Sequence, residues 1–69
     1  MSGTISLNGE TCALDDGALL NLLRAQKIDP AARGLAVAVN GAVVPRRAWE
    51  ETALRDGDEV EIVKLFAGG

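Results

Sequence analysis

Histidine and tyrosine are missing from this 69-residue sequence, and cysteine occurs once, as Cys12. A single cysteine cannot form an internal disulfide, and without histidine a zinc site has almost no ligands to draw on. We therefore expect no metal site and no cofactor bound by this chain. A lone cysteine is also typical of a reducing compartment, so a cytoplasmic protein is expected.

Long apolar runs and an excess of basic residues are absent as well. No stretch is long enough to span a bilayer, and the opening segment MSGTISLNGE has neither the basic part nor the apolar part of a secretion signal. Seven Lys and Arg against ten Asp and Glu give a formal net charge of -3, whereas nucleic-acid-binding domains usually carry a basic stripe. Neither nucleic acid nor a membrane is expected as a partner.

The length limits the chain to one small domain, residues 1–69, with a single core. Apolar residues make up 48% and charged residues 25%, which is a globular composition. A deep active-site cleft is not expected in a domain of this size.

Two Asn-Gly pairs predict two β-hairpins. Each pair, Asn8-Gly9 and Asn40-Gly41, follows alternating apolar residues, and both residue types tolerate positive φ. A two-residue turn at the first pair places Ile5 opposite Cys12 on the core side of the sheet. Cys12 is therefore interpreted as a small buried residue rather than a sulfur-handling thiol. Pro45 makes the return strand of the second hairpin short and places it at an edge.

The segment between the hairpins predicts one helix. In GALLNLLRAQKI, residues 17–28, Leu19, Leu22 and Leu23 recur at helical spacing and should cover the sheet. Asp15 or Asp16 is expected to cap the first turn. After the second hairpin, RRAWEETAL is expected to form an irregular helical turn that buries Trp49 and Leu54.

The closing segment EVEIVKLF alternates as a strand and completes the order hairpin, helix, hairpin, strand. A chain of this length can pack one helix on one face of a mixed sheet. We predict an α+β fold of the ubiquitin-like β-grasp type, with the last strand in the middle of the sheet beside the first. A flexible tail of about residues 66–69 would then leave from the centre of the sheet.

The Gly68-Gly69 pair is the candidate functional segment of this tail. Glycine has no side chain and accepts any φ, so the pair can pass through a narrow channel into a partner. The α-carboxylate of Gly69, ionised near neutral pH, could attack the α-phosphorus of ATP if a partner supplied Mg²⁺ and cationic groups. Sulfide or a persulfide could then displace AMP and leave a thiocarboxylate.

Residues 38–69 resemble the C-terminal half of the ThiS family, the sulfur carriers of thiamin biosynthesis. The matching positions are Val39-Asn40-Gly41, Val44-Pro45-Arg46, Trp49, Leu54, Asp56-Gly57-Asp58, Val60, Ile62 and Gly68-Gly69. The segment LNGE near the start and the Leu-rich helix extend the resemblance over almost the whole length.

The resemblance implies a protein co-substrate and not an enzyme. Gly69 would be adenylated by an E1-like enzyme of the ThiF type, which uses ATP and Mg²⁺. Sulfur would come from a cysteine desulfurase or another donor and pass to a thiazole synthase of the ThiG type. Two other functions stay open: a carrier of the molybdopterin-synthase small-subunit type, and a non-covalent β-grasp interaction module.

Partner docking is expected on the sheet face away from the helix, because strand alternation places Ala36, Ala38, Val63 and Leu65 there together. The predicted docking residues are Val63, Leu65 and Phe66, while Ala67 and Gly68 would thread into the partner.

Other conspicuous residues have two interpretations. Arg46 and Arg47 could grip a phosphate or an acidic partner, although solvated guanidinium groups on an exposed turn are favoured. Trp49 could anchor an interface, although covering the edge of the core is favoured. The acidic residues of segment 50–61 are interpreted as solvated faces rather than a cation site.

Overall fold

The computed structural model describes residues 3–64, in which the elements follow the predicted order. They are β1 (Gly3–Leu7), β2 (Glu10–Leu14), α1 (Leu19–Ala25), β3 (Leu35–Val39), β4 (Ala42–Val44), a 3₁₀ helix (Arg46–Glu51) and β5 (Glu59–Lys64).

The strands form one five-stranded sheet in the order β2-β1-β5-β3-β4. β5 pairs in parallel with β1 and antiparallel with β3, and the two hairpins supply the remaining pairs. The last strand therefore lies in the middle beside the first, which confirms the ubiquitin-like β-grasp fold. The three-residue β4 lies at the edge ahead of Pro45, as predicted.

Both hairpin turns have the conformation that Asn-Gly predicts. Positive φ is found at Asn8 (51°) and Gly9 (87°), and at Asn40 (52°) and Gly41 (83°), the combination that suits a two-residue turn between twisted strands. The first hairpin has the expected register, with Ile5 opposite Cys12.

The core lies between the helix and one face of the sheet. Leu19 and Leu23 of α1 are fully buried, and Trp49 and Leu54 are 3% and 5% exposed, as predicted. The sheet contributes the remaining buried apolar side chains, Ile5, Val37, Val60 and Ile62.

Cys12 and Leu22 are less buried than the sequence predicts. Both pack against the core but remain half-buried. Cys12 belongs to β2, which is an edge strand and has a neighbouring strand on one side only.

The helix is shorter than residues 17–28, and the prediction of an aspartate cap is wrong. Ala18 is the N-cap and no side chain caps the first turn, while Asp16 accepts a hydrogen bond from the Ala18 N–H at 3.0 Å, ahead of the helix. The cause is a distant contact. The Gly17 carbonyl accepts a hydrogen bond from the Leu54 N–H at 2.6 Å, and the Leu19 N–H donates to the Thr52 carbonyl at 3.2 Å. Because these bonds connect residues 17–19 to residues 52–54, the helix begins only at Leu19.

A lysine in the left-handed region follows the C-terminal end of the helix. Lys27 has φ 61°, its N–H donates to the Arg24 carbonyl at 2.9 Å, and the Ile28 N–H donates to the Leu23 carbonyl at 2.9 Å. This pair of bonds is a Schellman motif, whose left-handed position usually holds glycine.

Candidate functional site

The candidate site is the end of β5 together with the residues that follow it. Leu65, Phe66, Ala67, Gly68 and Gly69, five of the predicted site residues, lie outside the described residues 3–64. The sixth, Val63, lies on β5, so the described part of the site is the platform from which the chain continues.

The Asn8 side chain holds the second half of β5 in place. β1 ends at Leu7, and the carboxamide of Asn8 continues its ladder: Oδ1 accepts from the Ile62 N–H at 2.8 Å and Nδ2 donates to the Ile62 carbonyl at 3.4 Å. A side-chain amide thus replaces a peptide unit of β1, and β5 is paired on both sides as far as Ile62.

The Asn40 side chain holds the start of β5 in a related way. Its Oδ1 accepts from the Glu59 N–H at 2.9 Å, and its Nδ2 donates to Asp58 Oδ1 at 3.0 Å. Asp58 Oδ2 also accepts from the Arg55 N–H at 2.8 Å. The pKa of Asp58 is lowered from its ordinary value, first by the Arg55 N–H bond and then by the Asn40 bond.

Sequence reasoning used both asparagines only as turn formers and missed these contacts with β5. The available signal was the choice of asparagine, because its amide carries both a donor and an acceptor and both turns close strands that pair with β5.

The outer face, the side of the sheet away from α1, carries an apolar patch beside the end of β5. Val63 is 49% exposed and pairs with Ala36, while Val43 is 75% exposed and pairs with Ala38. We call these four residues the outer patch. The predicted grouping of Ala36, Ala38 and Val63 is confirmed by the register, and Leu65 lies outside the described residues.

Val43 was missed, although the Asn40-Gly41 turn fixes it opposite Ala38. The outer patch is bordered by carboxylates, because Glu61 also pairs with Ala38 and Glu59 shares its side of β5. A partner surface that fits this face is therefore apolar with basic neighbours.

Arg46 is exposed, as the favoured interpretation expects, but its guanidinium also contacts the folded chain. Its guanidinium donates to the carbonyls of Pro30 and Ala32 and lies 4.5 Å from the ring centroid of Trp49. Trp49 is buried and its Nε1–H donates to the Val44 carbonyl at 2.8 Å. These contacts connect the loop before β3 to the 3₁₀ helix, and Arg47 is exposed like Arg46.

Cys12 lines a groove of about 240 Å³ between β2 and α1, and its Sγ lies 4.0 Å from Gln26 Nε2.

Within residues 3–64, no group of three or more acidic or cysteine side chains is placed to hold a metal ion. In the same range, no helix is long and apolar enough to cross a membrane.

The sequence and the fold both match known proteins. The family model of the ThiS family matches residues 5–69. The sulfur carrier protein ThiS of Escherichia coli is 34% identical over 44 residues, which is 64% of this chain and 67% of that protein.

Two solved structures of a thiamine biosynthesis protein from Geobacter metallireducens share the fold at 32% identity. The crystal structure, named ThiS, has a TM-score of 0.77 over 96% of this chain and 99% of its own. The solution structure has a TM-score of 0.74 over 96% and 87%. The chain therefore belongs to the ThiS family, the sulfur carrier proteins of thiamine biosynthesis.

Proposed function

We propose that Gly69 carries the sulfur, as a C-terminal thiocarboxylate made in two steps on a partner enzyme. The observation that supports this is the ThiS family match, which runs through Gly68 and Gly69 to residue 69. The chain acts as a co-substrate, because the reacting group is its own carboxylate and the ATP and Mg²⁺ are held by the partner.

In the first step, a carboxylate oxygen of Gly69 attacks the α-phosphorus of ATP and pyrophosphate leaves. An E1-like enzyme of the ThiF type supplies the Mg²⁺ and cationic groups that stabilise the developing charge. In the second step, sulfide attacks the acyl carbon and AMP leaves, which gives the thiocarboxylate.

A persulfide from a cysteine desulfurase can also serve as the donor. Its terminal sulfur displaces AMP to give an acyl disulfide, and a thiol must then reduce the S–S bond to release the thiocarboxylate. The product passes its sulfur to a thiazole synthase of the ThiG type.

The position of the platform supports this role. β5 lies in the middle of the sheet and is held by Asn8 and Asn40, so residues 65–69 start from a fixed point. Five residues can span at most about 17 Å. The reactive carboxylate can therefore enter a site well inside a partner while the folded domain stays outside.

Docking must be provided by the folded domain. Ordering Ala67, Gly68 and Gly69 opposes binding by about 1–2 kcal/mol per residue, with glycine at the high end. Val63 is already exposed in the outer patch, and we propose that it docks the adenylating enzyme together with Leu65 and Phe66.

Intact-mass spectrometry tests the proposal. After incubation with ATP, Mg²⁺, a ThiF-type enzyme and sulfide, we expect the mass to rise by the difference between one sulfur and one oxygen atom. The matched control is the chain extended by one alanine beyond Gly69, which should fold normally and remain uncharged. Charging of the extended chain without trimming, or no charging of the natural one, would contradict the proposal.

Transfer to the acceptor separates the pathways. ThiS family membership favours thiazole synthase over molybdopterin synthase as the acceptor. The thiocarboxylate form should lose its sulfur to a ThiG-type synthase in the presence of the other thiazole precursors, and should keep it when offered to a molybdopterin-synthase large subunit.

A further inference from the structure

A second surface lies at the end of β5, on the helix side of the sheet. It is a cleft of about 240 Å³ whose walls include Ile28 and Leu35, and its charged lining residues are Lys27, Arg33, Lys64 and Asp29. We call it the basic cleft. Lys64 pairs with Leu35 at the last position of β5, so the cleft borders the point where residue 65 begins.

The basic cleft concentrates positive charge in an acidic protein. It holds three of the seven Lys and Arg residues, and all three are exposed. Asp29 supplies one negative charge, and its Oδ1 accepts a hydrogen bond from the Ala31 N–H at 2.9 Å. The local charge is therefore about +2, in a chain whose formal net charge is -3.

Lys27 occupies the cleft in an unfavourable backbone conformation. Its φ of 61° is the left-handed position of the Schellman motif, where glycine avoids a steric penalty. Glycine would therefore suit the fold better than lysine at this position, and lysine adds a cation to the rim of the cleft.

The occupant follows from the cleft's position and charge. Under the proposed function, the adenylating enzyme receives residues 65–69 and must come into contact with the cleft beside Lys64. Nucleic acid and anionic membranes approach from a distance, where the net negative charge of the chain repels them. The positive cleft attracts only over about a Debye length, near 8 Å at physiological salt.

An acidic surface at this place does not interfere with ATP chemistry. The five residues after Lys64 can separate the cleft from the reacting carboxylate by up to about 17 Å when extended. That distance is about two Debye lengths, so acidic side chains at the mouth of the enzyme's channel leave the ATP phosphates largely unaffected.

We propose that the basic cleft docks acidic side chains of the adenylating enzyme, on the side of the sheet opposite the outer patch. The partner's identity rests on the function proposed above, while the chemistry of the contact rests on Lys27, Arg33 and Lys64. The enzyme thus holds β5 between an apolar contact on one face and a charged contact on the other.

Calorimetric titration of a purified ThiF-type enzyme with charge variants tests the cleft. Arg33→Glu should raise Kd about tenfold at low salt, and the effect should shrink as salt is raised. Arg55→Glu, the same substitution ahead of β5 and away from the cleft, should change Kd less than about twofold. Lys27→Gly should weaken binding while leaving Tm equal or higher, which excludes misfolding as the cause.

The remaining outcomes separate this inference from the proposed function. Equal effects of Arg33→Glu and Arg55→Glu on Kd, or no binding of the natural chain, would contradict the proposed docking at the basic cleft. Saturable shifts of the Lys27 and Arg33 amide resonances with ATP and Mg²⁺ alone would also overturn it, by showing a site for small anions. If binding depends on Arg33 and on salt but intact-mass spectrometry detects no thiocarboxylate, the docking proposal would be supported and the proposed function would be rejected.

Discussion

At the scale of single residues, polar side chains in this domain connect segments that are distant in sequence. Asn8 reaches Ile62, Asn40 reaches Glu59, and Arg46 reaches Pro30 and Ala32. A domain of this size has a small core, so contacts of this kind add to a modest net stability. Their effect is to fix the two ends of β5 and the loop before β3.

Arg46 and Arg47 make a matched pair for testing this. Arg46→Ala removes two hydrogen bonds to carbonyls and the contact with Trp49, and we expect the free energy of unfolding to fall by about 1–2 kcal/mol. Arg47→Ala, at an exposed neighbouring position, should change it by less than about 0.5 kcal/mol. Urea titration followed by Trp49 fluorescence measures both, and equal values for the two variants would show that the Arg46 contacts contribute nothing.

At the scale of elements, the hairpin predictions succeeded because they depend on neighbouring residues, and the predicted start of α1 failed because it depends on distant ones. Both hairpins follow from Asn-Gly pairs and local alternation, and their registers place Cys12 and Val43. The start of α1 could not be predicted, because the Gly17 contact with Leu54 decides it. The contacts of Arg46 could not be predicted for the same reason, because the Pro30 and Ala32 carbonyls come near it only in the folded chain.

β5 is the element that connects the fold with the candidate site, since its outer side carries Val63 and its last residue borders the basic cleft. Its central position in the sheet was predicted from the order of elements alone. The basic cleft was not, because Lys27, Arg33 and Lys64 come from three separate segments and no local pattern relates them.

The outer side of β5 yields a prediction about docking. Under the proposed docking through Val63, Val63→Asp would place a charge against an apolar surface of the partner and should weaken binding to a ThiF-type enzyme at least about tenfold. Ala13→Asp makes the same change in net charge at an exposed position of the edge strand β2, away from β5, and should leave binding nearly unchanged. Deleting Gly68 and Gly69 should preserve most of the affinity and abolish charging. Loss of affinity on deletion alone, with Val63→Asp neutral, would show that the tail and not the sheet docks.

At the scale of the whole molecule, charge is arranged along β5. Asp58 and Glu59 lie at its start and Glu61 in its middle, whereas Lys64 and the basic cleft lie at its end. A partner that binds the end of β5 meets positive charge in a protein that is negative overall. The same layout gives the fold a dependence on pH, because some of the carboxylates form structural hydrogen bonds.

Two of those carboxylates predict how stability changes with pH. The pKa of Asp16 is lowered from 3.8, first by the Ala18 N–H bond and then by Asn21. The pKa of Asp58 is lowered from 3.8 by the Arg55 N–H and then by Asn40. A carboxylate whose pKa is lower in the folded state stabilises the fold fully above 3.8, and that stabilisation disappears as the pH falls through 3.8 towards the folded value.

Tm should therefore be constant near neutral pH and fall as the solution is acidified below about pH 5. The variant Asp16→Asn with Asp58→Asn should have a lower Tm at neutral pH and a smaller fall between neutral and acidic pH, because neither group titrates. Asp15→Asn, an exposed neighbour of Asp16, serves as the matched control and should keep the natural profile. Thermal unfolding followed by circular dichroism across this range measures all three. An equally steep fall in the double variant would assign the acid sensitivity to other carboxylates.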